Sequence, residues 1–426
     1  MMQCKRILIY VIFSCLFISC RSLKNATTQK ENTNILDSVL TANPQYFKNI
    51  LANKDALRVQ IIYTKIDRDK NNIPHFTDYR FNVSDTLYFY PASTVKMPVA
   101  LLAMEKLNLL KNPVVNRNIF IQLDSTGLQP DNKPAFDEED NSLRTISDLI
   151  KKIFLVSDND AYNHLYELLG QEYINNTLQQ KGYETVQIRH RLQIALTNEQ
   201  NRFTNAINFF DSGHNLLLHQ QPKYSNFQFA ERNNFLGKGY IKNDSIVLQP
   251  FNFSAKNRIQ LYDLHNILRS VIFPQSVNKQ QRFNLTENDY RFLYRYMSAY
   301  PHESNFPEYK DTATYYDAYG KFLLFGSEKG IWPSNIRIFS KEGDAYGFLT
   351  DVAYIADFKN NIEFMLSATI YCNNDGIFND DIYDYETTGY PFMKNLGQVI
   401  YNYELHRVKK HVPNLDNFKI DYSKEY

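Results

Sequence analysis

Charge disappears from the chain between Asp85 and Glu105 except at one position, Lys96, and from Val95 onward nearly every residue is apolar. A helix that is apolar all round is buried, so this stretch predicts a core helix carrying one amine. On either side the periodicity changes. Residues 56–67 and 75–83 alternate and are rich in β-branched and aromatic side chains, which predicts two strands joined by a turn over 67–74. Residues 43–57 hold a short helix. Residues 143–156 have helical spacing with Thr145 as a cap, a second helix over 161–169 ends at Gly170, and a third over 172–180 stops at Gly182. Residues 112–141 are rich in Asn, Asp and Pro and read as loop. Further helices are expected over 258–272 and 287–300, with a tyrosine-rich loop after them. Three strands follow at 335–339, 348–358 and 362–371, with hairpin-like connections at Gly343-Asp344 and at 359–361, and a final helix covers 390–405.

Two strands at the start and three at the end make one sheet only if they pair across the helices between them. That arrangement predicts a two-lobed α/β (α+β) protein: a five-stranded sheet with flanking helices, an all-helical lobe, and a cleft where the lobes meet. The sheet lobe spans about 43–90 and 331–426. The helical lobe spans about 91–330, with an insertion at about 210–330.

The N-terminus changes the picture of where the protein works. Lys5 and Arg6 precede an apolar run, residues 7–19, too short to span a bilayer. The run ends in Phe17-Ile18-Ser19-Cys20, which resembles a bacterial lipoprotein cleavage box. The resemblance implies that residues 1–19 are a signal peptide and that Cys20 becomes the lipidated first residue. A plain signal peptide or an uncleaved anchor are the alternatives. The polar residues that follow, up to about 42, read as a tether. The chain would then be a cell-envelope lipoprotein, anchored in a membrane and facing the periplasm or the exterior.

Net charge is +1, and −1 once residues 1–19 are removed, so no field points to nucleic acid. With Cys20 lipidated and Cys4 and Cys15 removed, Cys372 is alone and makes no intramolecular disulfide. One cysteine and scattered histidines suggest no metal site, and no cofactor motif is present. A monomer is expected.

The candidate chemistry begins at Ser93, three positions before Lys96, so that one helical turn places the hydroxyl against the amine. A hydroxyl beside a desolvated amine is a route to an activated nucleophile, whereas a capping serine and a snorkelling lysine are the plain alternative. Ser157-Asp158-Asn159 follows 64 residues after Ser93, between two predicted helices, and Lys341-Glu342-Gly343 falls at the end of a late strand. This ordered set resembles the signature of the penicillin-recognising serine enzymes, in particular class A β-lactamases and their D,D-peptidase relatives, over roughly residues 50–405.

The resemblance implies a β-lactamase/transpeptidase-like fold with an antiparallel sheet, and a serine hydrolase forming an acyl-enzyme on a β-lactam or a peptidoglycan-type amide. It implies that Ser93 is the nucleophile and that Lys96 takes or relays its proton. Ser157 would pass that proton to the leaving nitrogen. Asn159 would hold a substrate amide and help position Lys96. Lys341 would supply positive charge, and the oxyanion hole would be the N–H groups of Ser93 and Asp344.

Two departures stand out. Glu342 replaces the usual Thr or Ser, where a carboxylate would repel an anionic substrate and neutralise Lys341: either Glu342 turns away or the substrate lacks the usual carboxylate. No clean match to the deacylating loop appears. His190-Arg191-Leu192 begins something like it, and Glu199 is the nearest candidate base, with a solvated loop acid as the alternative. A D,D-peptidase or esterase on another substrate, or a non-catalytic binding lipoprotein that kept the fold, are the other readings.

Overall fold

The computed structural model describes residues 34–112, 114–124 and 143–424. The expected signal peptide, Cys20 and most of the expected tether lie outside them, as does 125–141 of the expected loop. The tether expectation fails at its end: Ile35–Thr41 is a helix, capped by the Asn34 side chain, that buries Leu36 and Leu40. Ile35, Leu36, Val39 and Leu40 do recur at helical spacing, but over seven residues after a polar run the pattern is too short to be read as a helix.

The sheet has five strands in the order Ile336–Ala345, Phe348–Asp357, Ile362–Tyr371, Gln60–Arg68 and Pro74–Phe81, all antiparallel. The first and last segments of the body therefore pair as expected, Tyr63 lying opposite Leu366. Every residue of Phe348–Asp357 is buried, because both faces of the sheet are covered. Phe348, Val352 and Tyr354 enter one core, against Lys96–Leu109, Ile146–Val156, Asn159–Leu169 and Leu261–Ile272. Leu349, Ala353 and Ile355 enter the other, against Ile35–Thr41, Pro44–Ala52 and Tyr390–His406.

The second lobe is not all-helical. Phe120–Asp124, inside the stretch read as loop, pairs with Ala206–Phe210, which pairs with Leu216–Gln220. Its pattern, FIQLD, is short, and its partner lies more than eighty residues away, so only tertiary pairing makes it a strand. The insertion, expected as helices or a lid, contributes the expected helices Leu261–Ile272 and Glu287–Ser298. It also supplies a hairpin of Gly239–Lys242 and Ser245–Val247, whose turn residues Asn243 and Asp244 both have positive φ. This hairpin pairs in parallel with Ile377–Phe378, which ties the insertion to the segment after the third late strand.

The late hairpin also differs from expectation. Gly343 and Asp344 are not a turn; they pair with Thr350 and Leu349 inside a strand that runs to Ala345, and the turn is Tyr346-Gly347. Gly343 is glycine for a different reason. A Cβ there would stand 2.6 Å from the backbone N of Ser93 and 2.9 Å from the carbonyl O of Pro91. The strand edge thus lies against the turn that carries Ser93.

Candidate active site

Ser93 sits in a 3-10 turn, Ala92–Val95, and the α-helix starts at Lys96 rather than at Ser93 or Thr94. The tighter turn eclipses residues three apart, which draws Ser93 and Lys96 together more closely than an α-helix would. Pro98 then falls in the first helical turn, where its missing N–H costs nothing. Ala92 enters the turn at φ 46°, a left-handed conformation that exposes Ser93 at the helix start.

Lys96 is fully buried. Its Nζ donates to Ser93 Oγ at 2.8 Å, to Ser157 Oγ at 3.2 Å and to the carbonyl oxygen of Ser157. Burial, then the nearby charge of Lys341, holds its pKa well below the usual 10.5. Met97, Val99, Leu101 and Leu102 behind it are fully buried. At about 2 kcal/mol for each such side chain, they offset the several kcal/mol that dehydrating the amine costs.

The Ser157-Asp158-Asn159 segment divides its work between two helices. Ser157 ends Ile146–Val156 in the left-handed conformation, φ 57°, which turns both its carbonyl and its hydroxyl toward Lys96. Asp158 caps the next helix by accepting from the Ala161 N–H. Asn159, in the first turn, donates Nδ2 to Gln193 Oε1 at 2.7 Å. Lys96 bonds to the two serines and not to Asn159, so the expected support of Lys96 by Asn159 gives way to a bond with the facing loop.

Lys341 reaches Ser157 from the sheet, Nζ to Oγ at 2.9 Å. Glu342 does not turn away: its Oε1 accepts from the same Nζ at 2.7 Å, and its carbonyl accepts at 3.0 Å. Burial pushes the Glu342 carboxyl up, but Lys341 outweighs it and holds the group below its usual 4.5. The pair is internally neutral. The pairing parity of the late hairpin decides the next residue. In a two-residue hairpin the flanking pair, here Ala345 and Phe348, exchanges both hydrogen bonds, so Asp344 directs its N–H away from the sheet, toward the open edge that packs on the Ser93 turn.

These groups open on a cleft of about 620 Å³ lined by Ser93, Asn159, Gln193 and Asp344, together with Tyr90, His190, Lys256 and Tyr346. Glu199 is not among its lining residues. Its side chain is 59% exposed and lies 3.9 Å from Arg202, so Glu199 sits as a solvated loop acid, the reading the sequence favours, and the tentative assignment as deacylation base is corrected. Of the loop residues that line the cleft, Gln193 is the one whose side chain bonds across it to Asn159, one position beyond the His190-Arg191-Leu192 that marked the loop in the sequence. Arg191, buried, anchors the loop by donating Nε to Glu167 Oε1 at 2.9 Å and Nη2 to the Phe203 carbonyl at 2.6 Å. His190 contributes no base either: burial, then Lys256, lowers its pKa to about 4, and its Nε2 accepts from the Asn257 N–H. Among the described residues no cluster of three or more His, Cys, Asp or Glu is placed to hold a metal ion.

The five-stranded antiparallel sheet and this meeting of two serines and two lysines are the arrangement that the ordered motifs of the sequence imply. Residues 44–220 match the model of the Beta-lactamase enzyme family. Among solved structures, the TLA-3 extended-spectrum β-lactamase is 14% identical, with 87% of this chain and 99% of that chain covered at a TM-score of 0.48. β-Lactamases from Sphaerobacter thermophilus (12% identity, 86% and 97% covered, TM-score 0.44) and from Xanthomonas campestris pv. campestris (11%, 86% and 97%, 0.47) are similar to the same extent. No curated protein matches.

Proposed function

We propose that this protein is a serine acyl hydrolase that forms an acyl-enzyme at Ser93 with a β-lactam or a related amide. The observation that carries the reading is the 2.8 Å contact between Lys96 Nζ and Ser93 Oγ, made by an amine whose burial favours the neutral form. Ser93 Oγ gives its proton to Lys96 Nζ and attacks the carbonyl carbon. The developing oxyanion is held by the N–H groups of Ser93 and Asp344. When the C–N bond breaks, the proton passes from Lys96 through Ser157 Oγ to the leaving nitrogen, with Lys341 holding Ser157 in line. Asn159 and Gln193 offer amide groups to the substrate. Cys20 carries the lipid that anchors the monomer in the envelope.

Gln193 favours a second emphasis within this chemistry. A carboxamide does not take a proton from water, so the acyl-enzyme turns over slowly, as suits a peptidase, an esterase or a penicillin-binding protein. Intact-mass spectrometry with a panel of β-lactams and activated esters tests the reading. The expected result is a one-acyl adduct on the wild type that Ser93→Ala abolishes. No adduct from any probe would leave a non-catalytic binding lipoprotein.

A further inference from the structure

The cleft has three lining residues that can carry positive charge, and two of them do not offer it. Arg191 is spent on Glu167, and His190 is neutral across the working range. Beneath the cleft, Lys341 is neutralised by Glu342. Lys256 differs. Among the described residues no carboxylate pairs with it; its partners are the Tyr346 hydroxyl at 3.4 Å and the faces of Tyr346 and Phe251, whose centroids lie 5.5 and 5.8 Å from Nζ.

The seat under Lys256 is built rather than incidental. Tyr346 holds φ 54°, a conformation that a bulky side chain rarely adopts. Edge contacts with Tyr90 at 5.1 Å and Phe253 at 5.5 Å keep its ring in place, and Phe251 lies 5.6 Å away. Phe251, Phe253 and Lys256 all come from the insertion, so the insertion delivers both the cation and its aromatic support. Asp344 and Asp381 line the same cleft without pairing to Lys256. The charges are thus separated within one site, with a single receptive point for an anion.

We propose that Lys256, seated on Tyr346, is the specificity determinant of the cleft: it receives the carboxylate of an anionic acyl substrate, a role that Lys341 does not fill because Glu342 has taken up its charge. The inference rests on the acyl-transfer reading of Ser93 for its kinetic test, and on binding alone for its second test. A charge-assisted contact of this kind discriminates by about tenfold or more and weakens with salt.

Two thioesters of phenylacetylglycine make the comparison, one with mercaptoacetate as leaving group and one with the methyl ester of that group. In Lys256→Met, the second-order rate constant for acylation falls about tenfold further on the carboxylate probe than on its methyl ester, and the wild-type preference shrinks as salt rises. Equal losses on both probes, or no loss on either, overturn the inference. Should neither thioester acylate the wild type, the acyl-transfer reading fails by itself. Calorimetry with the mercaptoacetate thioester itself then decides: binding to Ser93→Ala that weakens about tenfold on adding Lys256→Met supports the anion site, and binding that is absent or indifferent to Lys256→Met overturns it.

Discussion

Asn159 Nδ2 and Gln193 Oε1 lie 2.7 Å apart, so the residue that the loop delivers beside Ser93 is a carboxamide already satisfied by its neighbour across the cleft. Gln193→Glu keeps the acceptor for Asn159 and adds a group able to take a proton from water. The acyl-enzyme of this variant should decay at least about tenfold faster than that of the wild type, within the usual span of general-base effects. A time course of intact mass after a pulse of acylating probe measures it; an unchanged lifetime would mean that water does not reach this side of the ester.

Gly343→Ala places a methyl group 2.6 Å from the Ser93 backbone N, and the strand edge and the nucleophile turn must part. The expected loss in acylation rate is about 100-fold, the order seen when an oxyanion donor is displaced. The expected loss of stability is about 1–3 kcal/mol. Wild-type acylation in a folded Gly343→Ala protein would show that the close approach is not needed for chemistry.

Glu342 lies below its usual pKa of 4.5 in the folded protein, so its pairing with Lys341 stabilises the fold fully above about pH 4.5 and is lost as pH falls through the lowered value. Glu342→Gln leaves Lys341 buried without a counter-charge and should destabilise the protein by roughly 3 kcal/mol at pH 7. The difference from wild type should shrink as the pH falls below the usual 4.5 and through the lowered value. Urea midpoints measured across this range test the sign, and a difference independent of pH would assign the loss to packing.

Arg191→Ala strips Glu167 of its buried partner and frees the loop that carries Gln193. Leaving a buried carboxylate alone costs about 3–5 kcal/mol. The variant should melt well below the wild type and should be cut by protease within residues 190–205. Glu167→Gln, which keeps an acceptor oxygen for Arg191 but gives up the one that Oε2 offers to the Asn205 N–H, should lose less. Equal losses in the two variants would place the effect in the charge alone.

Lys96→Arg puts in a guanidinium that keeps its proton, so acylation should fall below detection at every pH from 6 to 9, although a cation remains. In the wild type, acylation should rise with pH through the depressed pKa of Lys96 and then level, because only the unprotonated amine takes the Ser93 proton. A wild-type rate that falls with rising pH in that range would remove Lys96 as the base.

Much of the fold was legible because its signals are periodic. The apolar run around Lys96, the alternation in 56–67 and the Thr145 and Gly170 boundaries mark elements that the structure contains, although Gln60–Arg68 is buried on both faces rather than alternately. Phe120–Asp124 was not legible: five residues of strand in a polar context pair only with a distant partner. Gly343 misled, because glycine serves turns and close approaches alike, and only the position of Ser93 tells which.

The sequence by itself determined which groups would meet. Ser93 and Lys96 are three residues apart, and local geometry alone brings a hydroxyl onto an amine that its apolar neighbours dehydrate. What surrounds them was decided by tertiary structure: that Glu342 folds back on Lys341, that Glu199 points to water while Gln193 enters the cleft, and that Lys256 arrives on an aromatic seat from the insertion. Those outcomes depend on strand parity, on loop anchoring and on contacts as far apart in the chain as Lys256 and Tyr346, ninety positions, and such distances leave no period in the chain to read.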